Sequence, residues 1–143
     1  ERSQHLMSLG IPLNTDSTLK GQTVFLAERC GELMHDNIIT DRTILDVMAF
    51  TLNAKSIPHQ DKDAFEVYAS EFIREYDYIF YISPHGIEIE DNGVRETDEH
   101  YRDLIDFTIT TLIKRHGHKA GQIEKISGST EERIQQILNI TSL

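Results

Sequence analysis

The chain has 143 residues, 38% of them hydrophobic, enough for one compact core and too few for two. Its 24 acidic against 14 basic side chains give a formal charge of −10, which argues against broad capture of nucleic acid. The single cysteine, Cys30, excludes an internal disulfide or a cysteine zinc cluster. No apolar run approaches the roughly 20 residues of a membrane helix, and Glu1–His5 does not look like a signal peptide, so the expectation is a soluble, cytoplasmic protein.

The first segment, Gln4 to Leu9, reads as the end of a helix, because Gly10 followed by Ile11-Pro12 is a stop signal. A helix without a start signal suggests that a preceding segment belongs to the same domain. N-cap candidates at 14–17 open a long helix to about His35, with Leu19, Phe25, Leu26, Cys30, Leu33 and Met34 available for its apolar side. Asn37-Ile38-Ile39-Thr40 reads as a short buried strand closed by Asp41-Arg42. The next helix, Thr43 to about Asn53, is apolar all round and is expected to be well buried. After Ile57-Pro58, the spacing of Phe65, Val67, Tyr68, Phe72 and Ile73 predicts a helix from Asp61 to Tyr76. Tyr78-Ile79-Phe80-Tyr81-Ile82 is a continuous apolar run, expected as a strand covered on both faces. A polar stretch, Glu88 to Glu99, precedes a helix from His100 to Arg115. A last strand near Ile123–Ser127 and a helix from Thr130 to Ile140 complete the chain. Strands separated by helices imply crossover connections, hence an α/β fold with a parallel sheet. Three strands are few for a doubly wound sheet, which again suggests further strands upstream.

The chemistry centres on Asp41-Arg42. In an open parallel sheet ligands bind at the carboxyl ends of the strands. An Asp there holds Mg²⁺ directly or through water, and an Arg beside it clamps phosphate with two hydrogen bonds. Alternatively, Asp41 caps the next helix and Arg42 lies on the surface. His116-Gly117-His118 reads as a solvated turn at a helix end, since a metal site needs further fixed ligands. No Ser-His-Asp or Cys-His arrangement has support.

The run Ile39-Thr40-Asp41-Arg42-Thr43-Ile44-Leu45-Asp46-Val47-Met48-Ala49-Phe50 resembles the Asp-Arg-Ser/Thr-x-x-Asp-x-x-Ala-aromatic segment of P-loop AAA-type ATPase/kinase domains related to the nicotinamide riboside kinase domain. Deoxynucleoside and thymidylate kinases are more distant relatives. The stretch from Ile87 to Asp98, followed by Tyr101-Arg102, resembles the lid of that family. Ile126-Ser127-Gly128-Ser129-Thr130-Glu131-Glu132-Arg133 resembles its last strand-to-helix turn, and Glu1 to Pro12 resembles its Glu-containing helix ending in Leu-Gly-Ile-Pro.

The resemblance implies a single three-layer P-loop NTPase domain of nucleoside or nucleotide kinase type over residues 1–143, with its first strands missing here and a lid-like segment at 86–102. The implied activity is Mg²⁺-assisted, in-line phosphoryl transfer from ATP to a small nucleoside or nucleotide acceptor. The phosphate-binding loop, G-x-x-x-x-G-K-[ST], does not occur in the sequence; without it, the residues given should neither bind ATP tightly nor transfer phosphate. The resemblance places Asp41 in the Mg²⁺ shell and Arg42 on a phosphate. It makes Arg95 and Arg102 charge-stabilising residues of the lid, with ordinary solvated charge as the other reading for each. Glu1 becomes a general base toward the acceptor, or is merely a frayed terminal residue. Asp46 fixes Arg42 from one turn along the helix, and Asp98 is a good N-cap for the helix carrying Arg102. Ser127, Gly128, Ser129 and Thr130 would seat adenine, and also read as a capped helix start. Gln22 and Phe25 would contact an acceptor base, with the core as the other reading for Phe25. The competing class is a non-catalytic ATP-binding or ATPase module that acts as a conformational switch.

Overall fold

The computed structural model describes Gly10 and residues 12–13, 16–85 and 98–143. The expected helix at Gln4–Leu9, Glu1, Arg95 and most of the lid-like segment lie outside the described residues.

Among the described residues, five α-helices form where local signals start them. Helix α1, Leu19–Glu32, begins at Thr18, whose hydroxyl accepts from the Gly21 amide at 3.1 Å. Helix α2, Ile44–Leu52, carries a complete capping box: the Thr43 hydroxyl accepts from an amide of the first turn, and the Asp46 carboxylate accepts from the amide of Thr43 itself. Such a box satisfies two of the amides that every helix start leaves orphaned. Helix α3, His59–Ser70, follows Pro58 and tightens into a 3-10 turn at Glu71–Glu75. Helix α4, Glu99–His116, starts at Asp98, whose carboxylate accepts from the His100 amide, as expected. Lys114, Arg115 and His116 stand in its last turn, where positive charge complements the carbonyl end of the helix dipole. Helix α5, Thr130–Thr141, has a second capping box, built from Ser129 and Glu132.

Helix α2 is the centre of the core. Ile44, Leu45, Met48 and Ala49 are fully or almost fully buried, and α1, α3 and α4 pack around them. This confirms what an all-round apolar helix requires. Strands β1, Tyr78–Ile82, and β2, Gln122–Ile126, pair in parallel from Tyr78 opposite Gln122 to Ile82 opposite Ile126. Helix α4 is the crossover between them, as parallel pairing demands. The turn into β2 is tight: the Gly121 amide donates to the Tyr76 carbonyl at 3.0 Å, and Gly121 presses against the Asp77 backbone.

Two expectations fail. Asn37–Thr40 is not a strand; Ile38 is 41% and Ile39 95% exposed. A strand exists only by pairing, and among the described residues nothing pairs with this segment. Among the described residues, strand β1 is covered on one face only. Ile79 is buried and Tyr81 meets α4, whereas Tyr78 and Ile82 are partly exposed and the Tyr78 and Phe80 rings stack outside, 6.1 Å apart with their planes nearly parallel. The fold is therefore α/β with a two-stranded parallel sheet among the described residues. No helix among them is long and apolar enough to cross a membrane.

Candidate functional site

The turn at Asp41-Arg42 is held by short-range bonds and by one unusual backbone angle. The Thr40 hydroxyl donates to the Arg42 carbonyl at 3.0 Å, and Arg42 has a φ of 76°. That left-handed conformation costs a non-glycine residue about 1–2 kcal/mol. Such strain collects where a side chain must be aimed. Asp41 is exposed at the turn. Arg42 is also exposed, makes no ion pair among the described residues, and holds its guanidinium 5.9 Å from the centre of the Phe50 ring. Phe50 in turn lies 6.2 Å from the ring of Tyr101, in the first turn of α4, next in sequence to Arg102. The turn is thus linked through two aromatic rings to the head of α4.

Asp46 does not clamp Arg42. Its carboxylate accepts from the Thr43 amide at 2.7 Å and lies within reach of the Thr43 hydroxyl at 3.5 Å. Burial raises its pKa, opposed by the Thr43 amide and by the positive charges of Arg42 and Arg29. Arg42 therefore acts on Asp46 through charge, while Asp46 fixes the start of α2. Tyr76 completes this buried corner, its hydroxyl oxygen accepting from the Ile44 amide at 3.2 Å; burial pushes its phenol up to about 12.

Gln22 is only 3% exposed, and its amide nitrogen donates to the Thr51 hydroxyl at 3.0 Å and the Val47 carbonyl at 3.4 Å. It ties α1 to α2 and presents no free edge to a base. Phe25 packs against the core cluster. Arg102 lies in the first turn of α4, where its amide donates to the Asp98 carbonyl.

At the end of β2, Gly128 has a φ of 97°, and an added Cβ would lie 2.9 Å from the Glu132 carboxylate. Ser129 caps α5, and the Arg133 guanidinium donates to the Thr130 hydroxyl at 3.1 Å. Gln136 folds back from α5 onto Ser127: its side-chain oxygen accepts from the Ser127 amide at 3.2 Å, and its nitrogen donates to the Ser127 carbonyl at 2.7 Å. The motif-based reading had no signal for Gln136, which stands nine residues beyond its partner.

Sequence reasoning also missed a polar cluster joining α3 to the end of α4. Glu66 accepts from Arg115 at 2.7 and 2.8 Å and meets the His116 ring nitrogen at 2.7 Å. His116 is only 13% exposed in its side chain, so the expected solvated turn is wrong at this residue. Burial alone would raise the Glu66 pKa, but the bonds and charges of Arg115 and His116 hold it below the usual value. Lys119 extends the cluster, donating to the Ser70 hydroxyl at 2.9 Å and the Glu71 carboxylate at 3.4 Å. Separately, the Tyr81 hydroxyl donates to Asp106 on α4; burial and that carboxylate push the phenol up to about 12.

Among the described residues no three His, Cys, Asp or Glu side chains gather into a metal cage. The exposed Asp41 carboxylate fits a hard cation that takes most of its ligands from water and a bound phosphate, as Mg²⁺ does. Comparison with family models, with curated proteins and with solved structures found no match for this chain.

Proposed function

We propose that this chain is the acceptor-side portion of an ATP-dependent phosphotransferase of nucleoside or nucleotide kinase type, built on a P-loop fold. The observation that carries the reading is Arg42: a strained, exposed arginine next to an exposed aspartate, steered over Phe50 toward the head of α4. Arg42 makes no ion pair among the described residues, and its planar cation suits a phosphate.

In this reading Asp41 would hold Mg²⁺, and the ion would neutralise charge on the phosphates. Arg42 donates two parallel hydrogen bonds to a phosphoryl oxygen pair and favours the transition state in which charge spreads over those oxygens. Asp46 and Thr43 hold the start of α2 so that Arg42 keeps its direction. The residues of the Ser127 turn face the base of the nucleotide. The reading requires a phosphate-binding loop from residues not in this sequence, on a strand that would use the open edge of β1 and the apolar segment Ile38–Thr40.

The test is Mg·ATP turnover with a panel of nucleosides and nucleotides, using the gene product with its flanking sequence. Arg42→Ala should lower kcat/KM at least about 100-fold, the range for removing a charge-stabilising contact, with circular dichroism unchanged. Turnover that survives Arg42→Ala, or a longer protein that phosphorylates nothing on the panel, would remove the proposal.

A further inference from the structure

Four arginines of this chain are held by oxygen. Arg29 bonds Glu32, Arg74 bonds Glu71 and Arg115 bonds Glu66, while Arg133 donates to the Thr130 hydroxyl. Arg42 differs. Among the described residues its guanidinium makes no hydrogen bond or ion pair, and it stands instead over the Phe50 ring, 5.9 Å from the ring centre.

The contact follows from local structure. A φ of 76° at Arg42 redirects the chain just before Thr43 caps α2. Phe50 lies about two helical turns beyond Thr43, and helical side chains lean toward the N-terminus, so its ring reaches back toward the Arg42 turn. The ring is itself held: Phe50 is half-buried against the core cluster, and its ring lies 6.2 Å from that of the buried Tyr101.

A carboxylate and an aromatic ring grip an arginine by different parts. The carboxylate accepts from the N–H groups, whereas the ring attracts the positive charge through its face. A guanidinium held by a ring therefore keeps the fork of donors that pairs with phosphate. We propose that Phe50 is a positioning residue for Arg42, holding the guanidinium by attraction between charge and ring while its donors stay open to phosphate. This role rests on the kinase reading for its ligand, and it explains how an exposed arginine is aimed without an acidic partner. An exposed contact of this kind favours the seated side chain about 2–5-fold, so losing the ring should weaken phosphate binding at Arg42 by a similar factor.

The test uses the 143-residue chain and inorganic phosphate at constant ionic strength, which keeps general screening fixed. The Arg42 Nε–Hε signal is followed by NMR and assigned by its absence in Arg42→Lys. Phe50→Leu and Phe50→Met keep an apolar side chain without a ring, and Phe50→Tyr keeps the ring. Wild type and Phe50→Tyr should show Arg42 side-chain protons moved upfield by the ring and should bind phosphate equally. Phe50→Leu and Phe50→Met should lose that displacement and bind phosphate about 2–5-fold more weakly. Equal affinity with and without the ring would overturn the positioning role and leave Arg42 as a phosphate contact. An equal loss in Phe50→Tyr would also overturn it, since packing rather than the ring face would then be responsible. No response of Arg42 to phosphate in any of the proteins would overturn the role together with that contact. Mg·ATP turnover by the longer gene product judges the kinase reading separately.

Discussion

Gly121 is the position where one atom should matter most. An added Cβ would lie 2.5 Å from the Asp77 carbonyl oxygen and 3.2 Å from the Asp77 carbonyl carbon and Cα. All three are backbone atoms at the entrance to β1, so no flexible side chain can swing aside. Relief requires the starts of β1 and β2 to separate, which also strains the Gly121 N–H bond to the Tyr76 carbonyl. Forced overpacking costs about 1–3 kcal/mol and a lost hydrogen bond about 1 kcal/mol more. Gly121→Ala should therefore destabilise the chain by about 2–4 kcal/mol, lowering the urea midpoint by about 1–2 M. The control is Gly31→Ala within α1, where an added Cβ meets nothing within 4 Å. There alanine should stabilise by about 0.5–1 kcal/mol, because glycine loses more chain entropy on entering a helix. If Gly121→Ala costs less than about 0.5 kcal/mol, or if both variants shift the midpoint in the same direction, the close approach of the two strands is wrong.

Three further outcomes follow from named contacts. Arg42→Gly should be more stable than Arg42→Ala by about 1 kcal/mol in denaturant titration, since only glycine accepts a φ of 76° without strain; equal stability would deny the left-handed turn. Glu66 has its pKa held below the ordinary 4.5 in the folded protein, so its contribution is present above pH 4.5 and disappears as pH falls through the lower folded value. Glu66→Gln should accordingly cost roughly 1 kcal/mol at pH 7, a figure reduced by the exposure of Arg115, and progressively less as pH falls through the lowered folded value; a loss that does not change with pH would contradict this. Ile39→Lys should change the stability of this chain by less than about 0.5 kcal/mol, because the side chain already lies in water, whereas the same change should cost about 2 kcal/mol in a longer protein where Ile39 lies in a covered strand.

The elements written locally were legible. Helix starts at Asp98 and Thr43, the buried character of α2, and the run Tyr78–Ile82 all depend on near neighbours in sequence, and the structure shows each of them. The failures share one cause. Whether Asn37–Thr40 forms a strand, and whether β1 is covered on its second face, is decided by what packs there from elsewhere. Sequence pattern reports only that those residues suit a sheet. The same limit hid the Glu66–Arg115–His116 cluster, whose members lie about fifty positions apart, and the hydrogen bonds from Gln136 to Ser127. It also misplaced Gln22, because a polar residue on a helix looks available until its partner, Thr51, is known.

Left-handed residues stand where elements end. Asn37 and Arg42 are both left-handed, and between them Ile38 and Ile39 stand in water. At the end of β2, Gly128 is left-handed and the Ser127 backbone is covered by a borrowed amide. Elsewhere, capping boxes, a buried central helix and dipole-complementing charges all favour the same structure. Ser142 is left-handed too, at the end of α5, so these residues mark places where the chain must turn and where neighbouring elements decide what covers it. The Asp41-Arg42 turn sets an exposed carboxylate beside an exposed guanidinium, and Arg42→Ala is therefore the substitution that bears most directly on the proposed phosphate contact.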